Sequence, residues 1–515
     1  MRLPFPEFIP FRTIFLFAAL LAGVQLAERT DPTFALCSFL FVVLSGVAFN
    51  TGGGLTRPSG AYVFFFAMLG VIIGLVWKAV LGEPAESNLL SPYLTMYIYV
   101  VGMGMMLLSA YLSRKFMLRR PILGNILPAN KVQTATVGCI VTAFAIVALE
   151  LVAPGGNGSV LSALNQLNHF FPLAIMLGVI HTMKRTGGKQ SVNMPVLLAS
   201  TFLFITGVIG FSKEGMLGPF VAWGLAAGSQ RYRMSRAQVV IGILALVFVF
   251  RYLVPYSQYG RNFKQGDLGL DTHTAVEMLS HLGEVRQLYL VSSEGDAEDR
   301  LYGYYNTSQG FFDRLQMITI DDALINHTVN FGFYGLLPVV HAVENVVPHF
   351  IWKDKPSFLI GNTYAHEIDL LAPDDESTGV SFSSMSTAYH MTGWPGVIFL
   401  APLAWFVLFW VFDSLCGDVR QAPWGLMVML MFSHSAPEGD ITAIIYVFTT
   451  GAFGVAFASL MTAYVMPIIG SFFIGPEAVF LKRARPIRSI PRRIPSRLAS
   501  LTPLAPLTPT RSPEN

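Results

Sequence analysis

The chain has 515 residues, 53% of them hydrophobic and only 13% charged, with a mean hydropathy of +0.54. Soluble proteins carry about 25% charged residues, so this composition excludes an ordinary soluble enzyme, a disordered chain and a nucleic-acid-binding domain. The net charge is a modest +3, and the apolar runs are about 20 residues long, as in helical membrane proteins, not the roughly 10-residue alternations of a barrel.

Twelve runs qualify as spans, near 9–27, 33–50, 60–82, 93–113, 134–153, 168–183, 194–211, 215–229, 237–254, 387–412, 422–435 and 441–466. Arg2 and Arg12 precede the first run as in a secretory signal, yet with so many spans following, a retained first helix is expected. Basic clusters at Arg114–Arg120, Lys184–Lys189 and Arg231–Arg236 follow spans 4, 6 and 8. They mark one cytoplasmic side. On that assignment 23 basic and 5 acidic residues lie inside, against 11 basic and 26 acidic outside. Both termini are then expected in the cytoplasm.

Residues 255–386 form one long outer loop. Structureless loops of this size are uncommon and usually functional. Val276, Leu279, Leu282, Val285 and Leu288 recur at helical spacing, which predicts a helix over 274–291. A second helix is expected over 310–329. The apolar stretch 333–352 also holds Pro338, His341, Glu344 and His349, and reads as an amphipathic helix on the outer surface. The organisation predicted is therefore spans 1–9 over 1–254, a helical cap over 255–386, spans 10–12 over 387–466, and a basic, Pro-rich cytoplasmic tail over 467–515. Three scattered cysteines (Cys37, Cys139 and Cys416) argue against a disulfide framework or a thiolate metal site.

No phosphate-binding loop, dinucleotide fingerprint or HExxH motif is present. Candidate chemistry gathers instead at the outer rim. Phe211-Ser212-Lys213-Glu214-Gly215 joins two short spans, so its turn is recessed, and a lysine there needs a partner or a wet cavity. A snorkelling Lys–Glu pair and a cation facing a lipid-linked phosphate both fit. Arg261 and Lys264 lie at headgroup height past span 9, and Arg314 has apolar flanks that suggest packing on the bundle. Arginine offers a planar fork of donors suited to phosphate oxygens. The densest stretch runs from Pro348 through Trp352, Lys353, Lys355 and Pro356 to Gly361-Asn362, His366 and Glu367, and then to Tyr389-His390 and Gly393-Trp394-Pro395-Gly396. His366 and His390 are candidate general bases, because a neutral imidazole can take a hydroxyl proton near pH 7. Glu367 is an alternative base or an orienting partner.

The run Pro348-x-Phe350-x-Trp352-x-x-Lys355-Pro356, the Gly-Asn after it, and Tyr389 with Gly393-x-x-Gly396 resemble the Wzy-type O-antigen and oligosaccharide repeat-unit polymerases of bacteria. The Ser212-Lys213-x-Gly215 turn is similar to the Ser-Arg or Ser-Lys turn of that superfamily and of the O-antigen ligases. The resemblance covers most of the chain as architecture and about 60 residues as motif. It implies an integral-membrane, GT-C-like glycosyltransferase of the bacterial inner membrane, with its large loop in the periplasm. Such an enzyme moves a glycan from undecaprenyl diphosphate to a hydroxyl of another lipid-linked repeat unit. No metal or other cofactor is implied. The implied partners are the lipid-linked oligosaccharide, membrane lipid, and a chain-length regulator and flippase of the same pathway. On this reading Lys213, Arg261 and Arg314, with Lys353 and Lys355 close by, bind the diphosphate, and His390 or His366 activates the acceptor. Ligases carry a His-Asn pair at the loop's end; His390 lacks that Asn, which favours polymerase over ligase. A polysaccharide flippase or other transporter is the competing class. The nine-plus-three division of spans and the polar outer rim fit it less well.

Overall fold

The computed structural model describes residues 1–152, 168–295, 303–307, 309–310, 312–347, 351–352, 355–356, 358–376 and 378–474. A backbone in hydrocarbon must satisfy its own hydrogen bonds, and each of the twelve apolar runs is helical. In chain order these are α1 (Phe11–Ala27), α2 (Pro32–Gly52), α3 (Pro58–Leu81), α4 (Pro92–Phe116), α5 (Val132–Val152), α6 (Phe170–Thr186), α7 (Met194–Ile209), α8 (Lys213–Ser229) and α9 (Arg236–Phe263). The cap follows with α10 (Leu268–Ser280), α11 (Leu282–Gly295), α12 (Ile318–Phe331), α13 (Leu337–Glu344), α14 (Ile360–Glu367) and α15 (Ser384–Thr392). The last three bundle helices are α16 (Gly396–Cys416), α17 (Trp424–Glu438) and α18 (Ile441–Ile474).

Among the described residues, seven helices are long and apolar enough to cross a membrane: α2, α3, α4, α5 with its preceding turn, α9, α16 and α18. This is a polytopic helical membrane architecture. The other five runs form α1, α6, α7, α8 and α17, of 17, 17, 16, 17 and 15 residues. At 1.5 Å per residue they reach about 23–26 Å, less than the roughly 30 Å hydrocarbon layer.

Several boundaries differ from the sequence reading. The α9 helix continues to Phe263 rather than stopping near 254, so Arg261 rides on its last turn. The helix expected over 274–291 is two helices meeting at His281, which adopts a non-helical φ of -122°. The stretch 333–352 supplies only the eight-residue α13. The tenth span is broken where Gly393 takes φ 72° and Pro395 follows, which separates α15 from α16. The tail over 475–515 lies outside the described residues.

Lipid tails are as apolar as leucine, so close packing and small residues hold such helices together. The α2 helix packs on α4, α4 on α16, α5 on α18, α17 on α3 and on α8, and α7 on α8. At Gly138 of α5 and Gly470 of α18 any Cβ would strike the facing backbone, at Met466 and Thr134. Tyr62 sits edge-on to Phe409 and Phe432, with ring centroids 5.4 and 5.2 Å away. The inner half of α9, Arg236–Phe248, has no buried side chain.

The cap is tied down by buried charge. Asp322 of α12 accepts from the Leu90 N–H (2.5 Å), the Ser91 N–H (3.0 Å) and the Thr95 hydroxyl (2.7 Å). Its neighbour Asp321 accepts from Tyr99 (2.5 Å), the Ser383 N–H (2.9 Å) and the Ser386 hydroxyl (2.6 Å). Lys78, fully buried, pairs with Glu83 at 3.3 Å and donates to the Tyr304 carbonyl. Trp77 stacks on Phe312 at 3.7 Å. Because Arg314 closes the same one-turn helix as Phe312 (Phe312–Arg314), this stack also sets the position of Arg314.

Candidate functional site

The first cluster forms around the turn between α7 and α8. Phe211 takes a positive φ of 50° and is wholly buried, so the chain reverses while its ring plugs the bundle. Ser212 then caps α8 by accepting from the Gly215 N–H at 3.1 Å. The end of α9 is stapled to this turn. Tyr256 donates to the Val208 carbonyl (2.9 Å), and Ser257 and Arg261 Nε both donate to the Phe211 carbonyl (2.7 and 3.5 Å). Gly260 is needed for this approach, since a Cβ there would meet the Phe211 ring. Arg314 arrives from the cap and donates to Gln258 Oε1 at 3.3 Å.

Lys213, Arg261 and Arg314, from three separate parts of the chain, thus meet where the bundle joins the cap. Arg314 and Arg261 lie near enough to Lys213 to repel its charge, and Glu438 near enough to attract it. Both arginines are exposed. Lys213 is also the first residue of α8, where the helix dipole adds positive potential. The result is a site with an excess of positive charge that an anion would relieve.

The second cluster lies in the cap. His390 Nδ1 is 2.8 Å from the Thr328 hydroxyl, and Nε2 is 3.0 Å from Glu367 Oε2. The ring is out of line for an N–H···O bond to that oxygen, so both atoms are buried without a hydrogen-bond partner. His327 Nε2 approaches the same oxygen to 4.0 Å. The His390 side chain is 2% exposed and that of Glu367 26%, so the carboxylate is the accessible member. The rings of Tyr364 and Tyr334 close over His390 at 4.6 and 5.6 Å. From Ile318 to His327 is about 13 Å along α12, so this cluster sits towards the far end of that helix from Arg314.

The remaining predicted residues join neither group. Adjacent helical positions point about 100° apart, so while Glu367 turns to His390, His366 Nε2 lies 2.9 Å from the Asp375 carbonyl. Lys355 is buried and donates to the Val347 and Asn345 carbonyls at 2.9 and 3.4 Å. It closes the end of α13 and is not part of the rim cluster. Lys353 lies outside the described residues.

The sequence reading included Ser381 in its densest stretch but passed over Glu438, His434 and His327. Glu438 ends α17; its Oε2 accepts from Ser381 at 3.3 Å and lies 3.6 Å from His434 Nδ1. A signal was present: an ionisable residue inside an apolar run is a functional candidate by default, and His434 is one. Compared with known proteins, the chain matches no family model, no curated protein and no solved structure.

Proposed function

We propose that the chain is an integral-membrane glycosyltransferase that polymerises polyprenyl-diphosphate-linked repeat units on the outer face of a bacterial inner membrane. The observation that supports this reading is the meeting of Lys213, Arg261 and Arg314 at the rim. Glycosyl transfer from a lipid diphosphate needs no cofactor. Its requirement is stabilisation of the charge that builds on the departing diphosphate. Preorganised cations meet that need best where water is partly excluded. The rim height suits a lipid-linked donor, whose tail stays in the bilayer while its glycan projects into the cap.

On this reading the two arginines grip the diphosphate oxygens and Lys213 neutralises the leaving group. The Glu367–His390 pair, with His327 beside it, lies far enough out to meet the glycan, as a recognition site for sugar hydroxyls. A chain-length regulator and a flippase are the expected partners.

Deletion of the gene in its host, with the surface glycan resolved by size, tests the proposal. Loss of the long ladder with a single repeat unit retained is expected. Loss of every surface-attached band, with lipid-linked polymer building up, would replace polymerase by ligase. Lipid-linked single units held on the cytoplasmic leaflet would make the protein a flippase and remove the glycosyltransferase reading.

A further inference from the structure

In a direct displacement the acceptor oxygen bonds to the anomeric carbon as the bond from that carbon to the diphosphate oxygen breaks. The electron pair of the broken bond leaves on the diphosphate, and the acceptor's proton passes to a base. The reacting atoms stand about 3–3.5 Å apart, and the base lies within about 3.2 Å of the proton's oxygen. Base and diphosphate are therefore separated by only a few ångströms beyond one sugar carbon. In the cap, His390 faces Thr328 and Glu367, and His366 is committed to the Asp375 carbonyl.

Glu438 meets that limit. The α17 helix packs beside α8. Glu438 is the last residue of α17 and Lys213 the first of α8, so their outer ends coincide. Glu438 Oε2 is held by Ser381 at 3.3 Å and faced by His434 Nδ1 at 3.6 Å, one turn below on the same helix face. Oε1 accepts no hydrogen bond from any described residue, and the side chain is 37% exposed. A carboxylate fixed through one oxygen and open at the other has the arrangement of an oriented base.

We propose that Glu438 is the proton acceptor for the attacking hydroxyl, with Ser381 and His434 as positioning residues. This rests on the glycosyl-transfer reading above. The rival role is a simple counter-charge for Lys213. The two differ in outcome, because losing a counter-charge leaves the anion site intact or stronger, whereas losing a base stops the proton transfer.

The test uses the full chain returned to its deletion strain, with polymer read on a gel and protein level read in membranes. Wild type must first restore the ladder; if it does not, the glycosyltransferase reading fails and Glu438 with it. With the ladder restored, Glu438→Gln at wild-type membrane level is expected to lower polymer about 100-fold or more. A normal ladder would overturn the inference while sparing the reading. In isolated membranes holding Glu438→Ala and the host's own lipid-linked units, sodium formate is expected to restore turnover as an external base. A variant that is active without formate supports the counter-charge role, and an inactive variant that formate does not restore overturns the proposal. Should neither variant reach the membrane, Glu438→Asp decides: a lower kcat at unchanged KM is expected, and an unchanged kcat overturns the proposal. Ser381→Ala and His434→Gln should show the same kcat-only loss, as positioning residues do.

Discussion

Lys213 is the residue whose chemistry depends most on its neighbours. It opens α8 with Arg314 and Arg261 near enough to repel its charge and Glu438 near enough to attract it. Lys213→Ala should weaken binding of a polyprenyl diphosphate in detergent by about tenfold, the loss of one charge-assisted hydrogen bond; unchanged binding would remove Lys213 from the cradle. For the arginines, whose role is leaving-group stabilisation, Arg261→Ala and Arg314→Ala should each cost about 100-fold in polymer formation, or roughly 2.7 kcal/mol of transition-state stabilisation. Normal chain length in both variants would rule out the cationic cradle.

At the scale of elements, the cap and the bundle hold together by different means. Bundle helices rely on close approach, as at Gly138 and Gly470, whereas α12 is anchored through two buried carboxylates. Asp322→Ala would leave the Leu90 and Ser91 N–H groups and the Thr95 hydroxyl without their acceptor. At about 1–3 kcal/mol for each unsatisfied buried group, a loss of about 3 kcal/mol or more is expected. It should appear as faster proteolysis of the cap in purified protein, with the bundle itself intact. The inner half of α9 gives the opposite case. Leu244 is 62% exposed and no residue over Arg236–Phe248 is buried, so Leu244→Ala should change the melting midpoint little. A large drop would mean that this face is covered in the native assembly. Residues 239–248 are uniformly apolar, and nothing in hydropathy distinguishes a lipid-facing helix face from a buried one.

For the whole molecule, the charge asymmetry yields a topology that thiol chemistry can test. Cys37, Cys139 and Cys416 are all buried, so background labelling should be low. A cysteine placed at Asp374 or Glu284 should react with a membrane-impermeant maleimide from the outer face of intact spheroplasts. One placed at Arg231 or Arg185 should react only after permeabilisation. Labelling of both sets from the same side would overturn the span count between them, because an odd number of crossings separates the two; an exchange of sides would overturn the orientation.

Class, helical content and the approximate place of each bundle helix follow from the sequence, because hydrocarbon leaves an apolar backbone run little alternative to helix. The basic clusters likewise give an expected sidedness, since that bias is local in the chain. Lys213, Arg261 and Arg314 were legible as candidates one at a time, from residue type and membrane depth. Their meeting was not, because it depends on Phe211 turning at a positive φ, on Gly260 yielding to that ring, and on α9 running two turns further than its apolar pattern. The separation of His366 from Glu367 and the burial of Lys355 were hidden for a related reason: one residue of helical rotation, or one nearby carbonyl, redirects a side chain without any trace in composition. Glu438 became a candidate only through packing, which brings the end of α17 beside the start of α8. Segments more than 200 residues apart share that corner because close helix packing, and not local sequence preference, sets which helix ends coincide.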